Sequence, residues 1–134
     1  MIRSLALAFF VIATACAEKV EPPVPAPPPT LQLNGTQWTS AEGALDAPSI
    51  EFDGSRANGF TGCNRFFAQV EQNGPALTLT GIGTTRRACS PDLTEIERTF
   101  VAQLEGTRAA RFEGEALVLE DVNGAEIARF NRRE

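Results

Sequence analysis

Residues 90–106 read SPDLTEIERTFVAQLEG, and this stretch decides the fold class. Leu93, Ile96, Phe100, Val101 and Leu104 recur at spacings of three and four, which draws one apolar stripe along a helix. Thr94, Glu95, Glu97, Arg98 and Gln103 fall on other faces, and the acidic ones read as a solvated face, not a catalytic carboxylate pair. Ser90 suits the N-cap, Pro91 the first turn, and Asp92 the positive end of the helix dipole. Gly106 is placed to end the helix. A parallel α/β fold needs several crossover helices, and only this one is visible.

Outward from the helix, the pattern is that of strands. Upstream, Ala76 to Thr80 alternates leucine with threonine, and Arg65 to Glu71 precedes it across the turn Gln72-Asn73-Gly74-Pro75. Ser49 to Phe52 turns at Asp53-Gly54 into Arg56 to Thr61, where Asn58-Gly59 suggests a bulge. Thr30 to Leu33 leads through Asn34-Gly35 into Gln37 to Ser40, which carries the only tryptophan. Downstream, Thr107 to Phe112, Glu115 to Glu120 and Glu126 to Phe130 are separated by Gly114 and Asn123-Gly124. The expected fold is α+β: a curved antiparallel sheet of two β-meanders with one helix packed on it.

The N-terminus is of a different kind. Met1 to Ser4 contains one cation, and Leu5 to Ala13 is nearly all apolar, the pattern of a signal peptide and too short for a stable bilayer span. The run ends Ile12-Ala13-Thr14-Ala15-Cys16, which fits ordinary leader cleavage and also resembles a bacterial lipobox with Cys16 as the lipidated residue. Ala13 departs from the usual leucine of that box. Six of the nine prolines follow between Pro22 and Pro29, so the segment favours extended polyproline II and stays out of a packed core. The expected organisation is a signal peptide over residues 1–15, a lipidated cysteine with a Pro-rich linker over 16–30, and a folded domain over 31–134. Ala17 stands where an aspartate would suggest inner-membrane retention, so an outer-membrane anchor facing the periplasm is expected.

Composition narrows the chemistry. The chain of 134 residues holds 12 Lys+Arg against 17 Asp+Glu, a balance that disfavours nucleic acid as a partner. It has no histidine, which removes Ser-His-Asp and Cys-His catalysis and every His-ligated metal site. Three cysteines are too few for a zinc-finger set or an iron–sulfur cluster. With Cys16 set aside for lipid, Cys63 and Cys89 read as one disulfide in an oxidising periplasm, or else as two buried free thiols. Neither metal nor cofactor is expected.

Two segments are distinctive. One is Asn58-Gly59-Phe60-Thr61-Gly62-Cys63-Asn64-Arg65-Phe66-Phe67; the other is Ile82-Gly83-Thr84-Thr85-Arg86-Arg87-Ala88-Cys89, running into the helix. With Leu33-Asn34-Gly35-Thr36-Gln37-Trp38 at the start, they resemble the META domain, the HslJ heat-shock lipoprotein family, over about Leu31 to Asn131. The resemblance implies a small α+β domain of envelope lipoproteins, linked to heat shock and novobiocin tolerance and without a catalytic mechanism. Gly62, Asn64, Arg65, Thr85 and Arg86 then read as structural motif residues. The functional alternative groups Arg65, Arg86 and Arg87 near the disulfide as an anion site, with Phe60 and one of Phe66 and Phe67 lining an apolar groove. The leading function is a non-enzymatic, monomeric envelope lipoprotein held to the membrane through Cys16. The alternative is an envelope binding module with a protein partner, such as an inhibitor of a cationic hydrolase or a carrier of an apolar ligand or secretin segment. A carboxylate enzyme ranks last, because no carboxylate pair is recognisably placed.

Overall fold

The structure is a computed structural model that describes residues 22–25, 30–41 and 46–134. Eight strands follow in chain order: β1 Thr36–Ser40, β2 Ser49–Asp53, β3 Arg56–Phe60, β4 Arg65–Asn73, β5 Ala76–Thr84, β6 Ala109–Glu113, β7 Ala116–Glu120 and β8 Glu126–Arg132. One helix, α1 Pro91–Gly106, lies between β5 and β6. Every strand pairs antiparallel with the next, and β8 returns to β1 through Trp38 opposite Arg132 and Ser40 opposite Phe130. The sheet is antiparallel and curved with one helix, as expected from the sequence, but it closes into an eight-stranded barrel in place of two β-meanders. Closure removes both edges, and it depends on contacts between the two ends of the domain that no local pattern announces.

The seam of the barrel is thin where the helix is inserted. Strands β5 and β6 register only at Ala76 and Ala109, supported by Leu77 N to Arg108 O at 3.0 Å and Ala110 N to Pro75 O at 2.9 Å. Beyond that level α1 packs against β5 and β8 in place of a strand. Phe100 sends its ring between Phe66, 5.5 Å away, and Phe130, 6.1 Å away, both edge-on. Leu104 is fully buried beside it. The rest of the interior is filled by Trp38, Ile50, Phe52, Leu77, Leu117 and Leu119, so the barrel is a packed core and not a channel.

Local signals act largely as their chemistry requires. Ser90 caps α1, Pro91 stands at its start and Asp92 in its first turn. Gly106 is the last helical residue, but the chain leaves through Thr107, whose N–H bonds Leu104 O and whose hydroxyl bonds Gln103 O, and not through a left-handed glycine. The Asn58-Gly59 pair holds regular pairing on both sides; the irregularity falls instead between Phe67 and Gln69 of β4, opposite Gly81 of β5, whose φ is +60°. That bulge carries β5 on to Thr84, well past the expected end at Thr80. Residues 30–33 form no strand: Leu31 and Leu33 are buried in the core, held by Gln72 Nε2 donating to Leu31 O.

Candidate functional site

The distinctive segments meet at one end of the barrel. The β3–β4 connection is a tight loop in which Thr61 N bonds Asn64 O at 2.8 Å. Gly62 within it has a φ of +100°, a conformation open to glycine alone at low cost. Its bare Cα faces the helix, where an added Cβ would stand 2.7 Å from Ile96 Cγ2. Cys63 is joined to Cys89 with 6.1 Å between Cα atoms, so the loop is tied to the residue just ahead of the helix cap.

Asn64 is the hub. Its side-chain oxygen accepts from Arg87 N at 2.7 Å and Thr85 Oγ1 at 3.1 Å. Its amide nitrogen donates to Glu97 Oε1 at 3.3 Å and Arg87 O at 3.4 Å. With the amide nitrogen also 3.2 Å from Cys63 Sγ, these contacts exhaust the hydrogen-bonding capacity of a carboxamide, and the residue is 5% exposed. The Thr85 hydroxyl, which donates to Asn64, also accepts from Arg65 N at 3.1 Å. Arg87 donates from its guanidinium to Cys63 O at 3.1 Å, closing the loop from the outside.

Glu97 corrects the expectation that the helix acids form a solvated face. Its Oε2 accepts from the Thr61 hydroxyl at 2.5 Å and from Asn64 N at 3.1 Å. The carboxylate thus bolts α1 to the loop by charge-assisted bonds. Thr61 is fully buried, and neither it nor Glu97 figured among the expected site residues. A signal was present: Glu97 lies four residues after Leu93 and four before Val101, inside the apolar stripe. A carboxylate in that position needs a donor from the core side.

The three arginines do not assemble an anion site. Arg87 is committed to Cys63 O, and Arg86 is exposed on the connector. Arg65 points from the outer face of β4 into a shallow cleft of about 250 Å3 shared with Arg133, Glu51, Asn58 and Phe60. The phenylalanine pair divides by alternation: Phe66 enters the core, and Phe67 is 60% exposed, its ring lying against Gly83 outside the barrel. Phe60 lines the polar cleft, so no apolar groove forms there. Cys16 lies outside the described residues. Among the described residues no cluster of three metal-ligating side chains occurs.

Together, the closed barrel, the inserted helix and the cystine-anchored Thr61–Asn64 loop define a small all-antiparallel domain whose distinctive residues are bonded to one another. The chain belongs to the META domain family: the family model matches residues 21–134. No curated protein matches the chain significantly. Among solved structures, it is similar to an NMR structure of a protein from Burkholderia xenovorans at 21% identity and a TM-score of 0.61, covering 88% of this chain and 99% of that one. A second NMR structure is similar at 20% identity and a TM-score of 0.58, covering 74% of this chain and 90% of the other. At such identities these likenesses establish the fold.

Proposed function

We propose that this META domain chain is a non-enzymatic lipoprotein of the bacterial envelope that serves in heat or antibiotic tolerance or in envelope maintenance. The observation that carries the non-enzymatic reading is that the buried Asn64 and the Glu97 carboxylate direct their hydrogen bonds into the loop–helix junction. Groups engaged in this way hold a scaffold; a catalytic group needs capacity left for substrate. The anchor reading rests on Cys16 behind a short apolar run and ahead of a Pro-rich stretch. The Pro-rich stretch supplies roughly 3 Å of reach per residue, which stands the barrel off a membrane surface. Ala17 favours the outer membrane.

The anchor is tested by fractionating cells that express the chain with and without Cys16→Ser. Release into the soluble periplasm is expected, and an unchanged membrane fraction rejects the anchor. The role is tested in a deletion strain challenged with heat and with novobiocin. Rescue by the full chain and failure of rescue by Cys16→Ser are expected; growth like wild type under both stresses rejects the tolerance role.

A further inference from the structure

We infer that the groove between α1 and the start of β8 is a docking site for a cationic amphipathic segment of a partner protein. The groove runs along the helix flank, with an end wall from Ser40, Ala41 and Asp46 to Pro48, and encloses about 790 Å3. Its floor is apolar: Leu93, Ile96, Phe100, Ile127, Ala128 and Phe130. Ile96 is 41% exposed there, on a helix whose deeper stripe residues Phe100 and Leu104 are buried. Such a floor gains free energy by covering apolar surface.

The rim sets the sign of the occupant. Asp46, Asp92, Glu95 and Glu126 line it against one cation, Arg129. That guanidinium is already held by Glu113 at 3.0 Å and Glu126 at 2.8 Å. Glu95 is held by Arg98 at 2.8 Å, so Asp46 and Asp92, which make no ion pair among the described residues, are the rim carboxylates left for an incoming cation. Apolar floor and acidic rim together match a helix laid into a groove, with aliphatic anchors below and lysines or arginines reaching the edge. A fatty acid or acidic lipid would bring its own anion against these carboxylates, which argues against a lipid-carrier role for the groove. The chain's net charge of -5 adds long-range attraction for a basic partner. The inference concerns the barrel and its helix alone and stands whether or not Cys16 carries lipid.

The test titrates the full chain carrying Cys16→Ser, labelled with 15N, with a synthetic helix of Leu and Lys in amphipathic spacing. A matched Leu/Glu peptide serves as the opposite-charge probe. Binding of the Leu/Lys peptide is expected to shift amides of residues 92–103 and 126–130 and to weaken as added salt screens the rim. Thr99 is exposed on α1 and lines the groove, whereas Ala102 is exposed on α1 outside it. Thr99→Trp should weaken binding about tenfold or more, the loss expected when a bulky ring blocks apolar anchors, and Ala102→Trp should leave it unchanged. The inference is overturned if the Leu/Lys peptide does not bind, if its shifts map elsewhere, or if the Leu/Glu peptide binds as well. It is equally overturned if the two tryptophan variants bind alike, or if the free chain sediments as a dimer closed through this groove.

Discussion

Asn64 and Glu97 show how much of this domain rests on single polar side chains. Glu97→Ala removes the charged acceptor of the Thr61 hydroxyl, the Asn64 N–H and the Asn64 amide, and leaves the hydroxyl to Asn64 O at 2.9 Å and the N–H to Thr61 Oγ1 at 2.8 Å, so the expected cost in urea unfolding with the disulfide intact is about 1–2 kcal/mol. Glu97→Gln keeps an acceptor oxygen and should cost less. Asn64→Asp is the sharper probe, because it places a second carboxylate where the amide now donates to Glu97. Its stability should recover when the pH is lowered enough to protonate one of the pair, whereas Asn64→Ala should show no such recovery. Glycines separate by what a methyl group would meet. At Gly59 an added Cβ would lie 2.0 Å from Ser49 O, a backbone atom of the paired strand, so Gly59→Ala should break the β2–β3 ladder. At Gly83 the added Cβ meets only the exposed Phe67 ring, which can turn away. Gly59→Ala should therefore lower the melting temperature far more than Gly83→Ala, and equal effects would contradict the strand geometry.

Strand β7 illustrates packing on the outer face of the barrel. Leu117 and Leu119 point into the core, so Val118 points outward, yet it is fully buried. The register places it between Arg111 on β6 and Arg129 on β8, whose aliphatic stems cover it. Glu113, Glu120 and Glu126 hold the two guanidiniums in place; Arg111 bonds Glu113 and Glu120, and Arg129 bonds Glu113 and Glu126. The bonds from Arg111 and Arg129 hold the Glu113 carboxyl below its ordinary range, and the bond from Arg129 does the same for Glu126. Carboxylates with lowered folded-state values contribute stability that is complete above their unfolded value of about 4.3 and is lost as pH falls through the folded value. The melting temperature should thus decline as pH drops from about 5 toward 3. Glu113→Gln with Glu126→Gln should flatten that decline and also reduce the response to salt. The loss is modest because the network is open to solvent. Helix α1 was readable locally, since its cap, its start and its stripe lie within one segment. Its partner in the barrel was not, because β5 and β8 lie on either side of it in the chain.

At the scale of the whole molecule, the Cys63–Cys89 bond links residues 26 apart in sequence and ties the β3–β4 loop to the residue ahead of the helix cap. Replacing both cysteines by alanine should cost about 3–4 kcal/mol by the chain-entropy relation. Hydrogen exchange should rise first in α1 and the Thr61–Asn64 loop, ahead of the β7–β8 hairpin, and uniform exchange across the barrel would contradict that order. The sequence by itself determined helix α1 and the approximate positions of most strands and hairpins. Those features follow from periodicity, capping and turn chemistry within short windows. Only the tertiary structure decided that the sheet closes, that Phe66 turns inward while Phe67 turns out, and that Glu97 joins Thr61 and Asn64. It alone formed the acidic-rimmed groove beside α1. Each of these depends on pairings between residues far apart in the chain, whose registers are fixed by the packing of one common core.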